Sequence, residues 1–152
     1  MQQRSGRVAV AEPAQDELAR LRAEIDRIDD DVVALLLDRI AVVGRIGAVK
    51  TAAHMQQPGI ALRPAREAEI IRRLAHAAGP SLPAAALTRM WRELLAVTTR
   101  LQTPFNVAFL SDPTVPEVRE LARDHFGALT PLVGVETAQH GFRVIAAGDA
   151  DL

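Results

Sequence analysis

The stretch DELARLRAEIDRIDDDVVALLLDRIAVVGRIGAVKT, residues 16–51, decides the fold. Leu18, Leu21, Ile25, Ile28, Val32, Leu35, Arg39, Val42, Ile46 and Val49 follow one another by alternating steps of three and four. That alternation is a coiled-coil-like seam on one continuous helix. Pro13 and Asp16 supply start signals, and no proline follows until Pro58. A helix of ~35 residues is ~50 Å long at the α-helical rise. A domain of about 100 residues has a radius of gyration of only about 13 Å. Such a helix therefore outruns its own domain and needs a partner over the excess apolar length. A homodimer is the simplest cover.

Downstream, Gln56-Gln57-Pro58-Gly59 reads as a loop. Pro64, at a first-turn position, opens a second helix from Ala65 to about Ala77, closed by Gly79-Pro80. Ser81 and Pro83 start a third, which runs to about Gln102 and stops before Pro104. Leu87, Met90, Trp91, Leu94, Leu95 and Val97 follow helical spacing along it and predict Trp91 in the core.

Past Pro104 the pattern changes. Asn106–Leu110 reads as a strand, Ser111-Asp112-Pro113 as a turn, 115–126 as a helix, 131–135 as a strand and 137–147 as a helix. Gly148–Leu152 then resembles the turn into a third strand. This is a β-α-β-α pattern cut short, and two strands hold a sheet poorly alone. It is expected to be a fragment, a remnant, or a piece completed by other contacts. The chain is thus expected to be mainly α. Residues 1–14 are expected to be disordered, 15–103 to form a helical domain with one very long N-terminal helix, and 104–152 a partial, non-catalytic α/β segment.

Composition narrows the chemistry. The 152 residues allow one full domain and a fragment. With 18 Lys and Arg against 19 Asp and Glu, no nucleic-acid partner is expected. The chain has no cysteine, which excludes disulfides, thiolate chemistry and Cys-ligated metals. His54, His76, His125 and His140 are scattered without ligand-like pairing, so neither a metal site nor a cofactor is expected. The run Val8–Ala11 is too short for a signal-peptide core, and nothing approaches ~18 consecutive apolar residues. A soluble, cytoplasmic protein without a membrane partner is expected. One Trp, four Phe and no Tyr leave the core to Leu, Ile, Val and Ala, which favours helices.

One seam position is wrong for a core. Arg39 stands where Leu or Val belongs, between Leu35 and Val42. A guanidinium there must meet an anion or an internal carboxylate. It is either a structural ion pair or an anion-binding arginine. Lys50, eleven residues on, projects from nearly the same face ~16 Å away, a gap two long side chains could bridge around a small acid. Read alone, it is a helix-end lysine that favours the dipole. Arg22 lies ~25 Å before Arg39 and about a quarter-turn away, too far to serve the same small ligand. Antiparallel pairing of two copies could deliver it to the partner's site; otherwise it is an exposed arginine. The second helix opens with Arg66 and Glu67 in its first turn, where Glu67 also complements the dipole. Thr98 and Gln102 share a face of the third helix with Leu95.

Four segments occur in series: Leu21–Asp29, Leu35–Arg39, Ile46–Lys50 and Arg66-Glu67. The series resembles the helical chorismate mutases, including the mutase portion of bifunctional chorismate mutase–prephenate dehydratases. The resemblance covers about residues 15–103 and implies a three-helix fold in an intertwined homodimer. It further implies that Arg39 binds one carboxylate of chorismate and that Arg22 of the other subunit binds the second. Lys50 would reach a carboxylate and the ether oxygen of the breaking bond, and Gln102 would donate to that same oxygen. Glu67, with Arg66 beside it, would take the ring hydroxyl, and Thr98 would support a carboxylate. Thr98 stands where serine is common in the family, and Arg63 where some members carry an acid. Rearranging chorismate to prephenate needs no nucleophile. It needs a flexible dianion held in its reactive shape and charge on the ether oxygen stabilised.

The tail, from Val107-Ala108-Phe109-Leu110, looks like the opening of a prephenate dehydratase domain. Where that family has a Gly-Pro-Glu-Gly-Thr-like turn, this chain has Ser111-Asp112-Pro113-Thr114-Val115, and the later Thr-Arg-Phe motif is absent. Dehydratase activity is not expected. Two other functions share the features of the first hundred residues. One is an isochorismate–pyruvate lyase, which resembles the same fold and uses a similar cationic pocket. The other is a non-catalytic helical dimer, in which Arg39 would pair with a protein carboxylate.

Overall fold

The computed structural model describes residues 11–53 and 62–152. Residues 1–10 of the stretch 1–14 expected to be disordered, and the expected loop Gln56–Gly59, lie outside them. The chain divides into two units, one ending at Arg45 and the other spanning Ile46–Leu152.

The first helix, α1, is unbroken from Ala11 to Ala52, 42 residues. It begins earlier than Asp16 because Pro13 falls in the first turn, where an α-helix makes no use of the N–H that proline lacks. The predicted seam is present and open: Ile25 is 57% exposed and Leu35 68%. An amphipathic helix draws most of its stability from burying such a stripe, and this one is unburied in the single chain.

The second unit is built on two helices and a small α/β layer. Helix α2, Pro64–Ala78, carries Pro64 in its first turn and ends at Gly79, whose φ of 58° suits glycine. One 3-10 turn, Gly79–Ser81, leads to α3, Ala84–Gln102, which packs against α2. Leu87, Leu95, Thr98 and Thr99 are the buried residues of α3. Trp91 lies between Leu87 and Leu95 on that face but is half-buried rather than in the core. An indole is large enough to stay partly accessible on a face where leucines disappear.

Strand β1, Val107–Leu110, then α4, Glu117–Phe126, strand β2, Leu132–Val135, and α5, Ala138–Ala147, follow in the predicted order. The strands pair in parallel, from Val107 opposite Leu132 to Leu110 opposite Val135. Helices α4 and α5 both pack on this sheet. Gly148, at φ 82°, ends α5 and turns the chain back along the other edge of β1. There Asp151 N–H donates to the Asn106 carbonyl at 2.9 Å and Ala108 N–H to the Leu152 carbonyl at 2.7 Å. These two bonds stand in place of a formed third strand, and they leave β1 bonded on both sides. Phe105, Val107, Val135 and Ala150 close the core of this layer. The layer does not stand apart, because α4 packs against α3.

Candidate functional site

The residues singled out in the sequence sit on three helices. On α1, Arg22 is exposed, while Arg39 and Lys50 are half-buried. Arg39 Nη1 is fully enclosed and has no hydrogen-bond partner among the described residues. Burial pushes this guanidinium below its ordinary pKa, because a charge withdrawn from water is disfavoured. Its seam neighbours Leu35 and Val42 carry no acceptor. Lys50 stands in the last turn of α1, where a basic residue favours the helix dipole.

On α2, Arg66 donates to Glu69 at 2.7 Å, an exposed i,i+3 pair that holds the Glu69 carboxyl below its ordinary range. The Arg66 guanidinium is thus turned along its own helix. Glu67 beside it is half-buried in the first turn, where the helix dipole favours its charge.

The structure brings Thr98 and Gln102 together on α3. Thr98 is buried, and its hydroxyl reaches the carbonyls of Leu94 at 2.9 Å and Leu95 at 3.0 Å. Gln102 is exposed, and its side-chain amide donates to the Thr98 carbonyl at 3.3 Å. Both polar groups are bonded within their own helix.

A further group was not legible in the sequence. Arg92 of α3 meets the ring nitrogen Nδ1 of His125, and Arg89 donates to Asp124 at 2.8 Å. Thr88 and these four side chains line a shallow groove of about 370 Å³ between α3 and α4. Burial first, then Arg92, pushes His125 below its ordinary pKa, against the opposing pull of Glu67. The partners are 33 and 35 residues apart, so no local pattern announces them.

Among the described residues, no three His, Asp or Glu side chains stand close enough to hold a metal ion. No described helix is long and apolar enough to cross a membrane. The chain resembles several bifunctional chorismate mutase/prephenate dehydratases. That of Aquifex aeolicus is 32% identical over 116 residues, covering 74% of this chain and 31% of the relative. That of Pseudomonas aeruginosa is 28% identical over 138 residues, covering 88% and 37%. That of Neisseria gonorrhoeae is 27% identical over 130 residues, covering 86% and 34%. The chain thus spans about a third of the length of these relatives. No solved structure matches it significantly. Residues 21–103, more than half of the chain, match the family described as chorismate mutase type II, and the protein belongs to that family.

Proposed function

We propose that this protein rearranges chorismate to prephenate in a homodimer whose α1 helices pair along the exposed seam. The observation that carries the reading is the enclosed, unpartnered Arg39 Nη1. A buried guanidinium nitrogen without an acceptor is strongly disfavoured unless an anion completes it.

The roles are those that the family resemblance implies. Arg39 takes one substrate carboxylate, and Arg22 of the second subunit takes the other. Lys50 spans from a carboxylate to the ether oxygen, and Gln102 swings from the Thr98 carbonyl to donate to that oxygen. Glu67 accepts the ring hydroxyl, with Arg66 beside it once released from Glu69, and Thr98 steadies a carboxylate. The reaction breaks one C–O bond and forms one C–C bond within a single molecule, so no proton is transferred. Donors that meet the growing negative charge on the ether oxygen lower the barrier. Holding the enolpyruvyl arm over the ring removes most of the remaining entropic barrier.

The test is to mix the purified protein with chorismate, follow its loss by absorbance and identify the product by chromatography. Prephenate formed above the spontaneous rate is the expected result. If chorismate is untouched and isochorismate yields pyruvate, the protein is the lyase. If neither reacts, the catalytic reading fails.

A further inference from the structure

We propose that the C-terminal α/β segment is a brace that positions the last two turns of α3, with Glu93 and Gly127 as its positioning residues. The kinetic part of this inference rests on the mutase reading; the structural part does not.

Helical spacing sets the geometry. Arg89, Arg92, Glu93, Ala96 and Arg100 recur at three and four residues and so form one stripe along α3. Each of the five is engaged by the chain beyond the helix. Arg89 and Arg92 meet Asp124 and His125 at the end of α4. Both oxygens of Glu93 accept from the backbone N–H of Ala128 at 3.0 Å. Ala96 lies against Gly127, where a side-chain carbon would stand 2.6 Å from the Ala96 Cβ. Arg100 donates to the Phe105 carbonyl at 2.6 Å, with its guanidinium 5.8 Å from the centre of the Phe105 ring.

Thr98 lies two residues from both Ala96 and Arg100, roughly 200° around the helix axis. Gln102 lies one turn beyond Thr98 on the same side. The segment therefore grips the face of α3 opposite Thr98 and Gln102. The grip has a physical consequence. The last four carbonyls of a helix lack intrahelical partners, and its final turns loosen most readily. Gln102 is the last residue of α3, so the accuracy of its donor depends on what holds the helix from behind. The Glu93 carboxylate is a charge-assisted acceptor for the Ala128 N–H. Gly127, at φ 88° and ψ 152°, is what lets that backbone come so close.

The experiment uses the full chain and the variants Glu93→Ala, Glu93→Gln and Gly127→Ala, alone and in a Gln102→Ala background. Glu93→Ala is expected to lower kcat roughly tenfold with little change in KM, the size of loss that slight misplacement of a donor produces. Glu93→Gln keeps one side-chain oxygen as acceptor and should restore most of that loss. In the Gln102→Ala background, Glu93→Ala should lower kcat no further, because the two changes act through one group. Amide hydrogen exchange provides the second readout, with faster exchange at 98–102 expected in Glu93→Ala and Gly127→Ala. An unchanged kcat, an equal loss in both backgrounds, or unchanged exchange would each overturn the brace. If the wild-type protein leaves chorismate untouched, the mutase reading fails, and the exchange result still decides the brace.

Discussion

A side-chain carbon on Gly127 would stand 2.6 Å from the Cβ of Ala96, closer than real Cβ atoms approach one another. The turn after α4 rests on α3 only because residue 127 has no side chain. Its φ of 88° adds a second constraint that an L-residue meets poorly. Gly127→Ala should destabilise the protein by about 2 kcal/mol, the usual scale for overpacking combined with a strained backbone. Urea unfolding followed by circular dichroism measures this. A change within about 0.5 kcal/mol, as at ordinary surface positions, would show that the end of α4 packs only loosely on α3.

Arg39 offers a cleaner separation of stability from activity. Arg39→Ala should lower kcat/KM by at least about a hundredfold, because it removes a fixed cation from the substrate. The dimer should remain intact. Arg39→Met, of similar reach and no charge, should lose as much activity while matching or exceeding the wild type in Tm, because it withdraws no charge from water. A variant that only unfolds, with activity tracking the folded fraction, would return Arg39 to a structural role.

The seam on α1 gives a prediction about assembly. Ile25→Asp places a charge on a stripe where Leu21 and Ile28 are also exposed. Sedimentation should find the wild type as a dimer and the variant as a monomer with reduced helicity, since a lone amphipathic helix is marginal in water. A wild-type monomer at micromolar concentration would remove both the proposed interface and the delivery of Arg22 across it.

His125 sets a pH dependence. Its folded pKa lies below the ordinary 6.5, chiefly through burial and then through Arg92, with Glu67 pulling the other way and Asp124 in the same groove. A base with a depressed folded pKa binds its proton more readily when the chain is unfolded. Stability is then fully present above about pH 6.5 and declines as pH falls from there through the lower folded value. The wild type should lose more Tm between pH 7.5 and pH 5 than His125→Asn. Parallel declines in the two proteins would remove His125 as the cause.

How much of the fold and site was legible in the chain depended on the range of each interaction. The alternation from Leu18 to Val49 specified a long helix because side chains three and four apart share a face whatever surrounds them. Pro64, Gly79 and Pro104 bounded the next two helices because proline and glycine act on their own backbone. The strands and helices after Pro104 could likewise be placed to within a residue or two. Trp91 could not be ranked from its spacing, since spacing gives a face and not the size of its cover.

The sequence by itself determined the order and type of the elements, the misfit of Arg39 in an apolar seam, and the helix faces that carry Thr98 and Gln102. These are consequences of local geometry, repeated every few residues. Only the tertiary structure decided that Arg39 Nη1 is enclosed without a partner, that Arg66 is turned toward Glu69, and that the tail grips α3 through Glu93, Ala96 and Arg100. Burial depends on everything that surrounds a side chain. The tail's hold on α3 through Glu93 joins residues 35 positions apart, a separation at which chain periodicity carries no information.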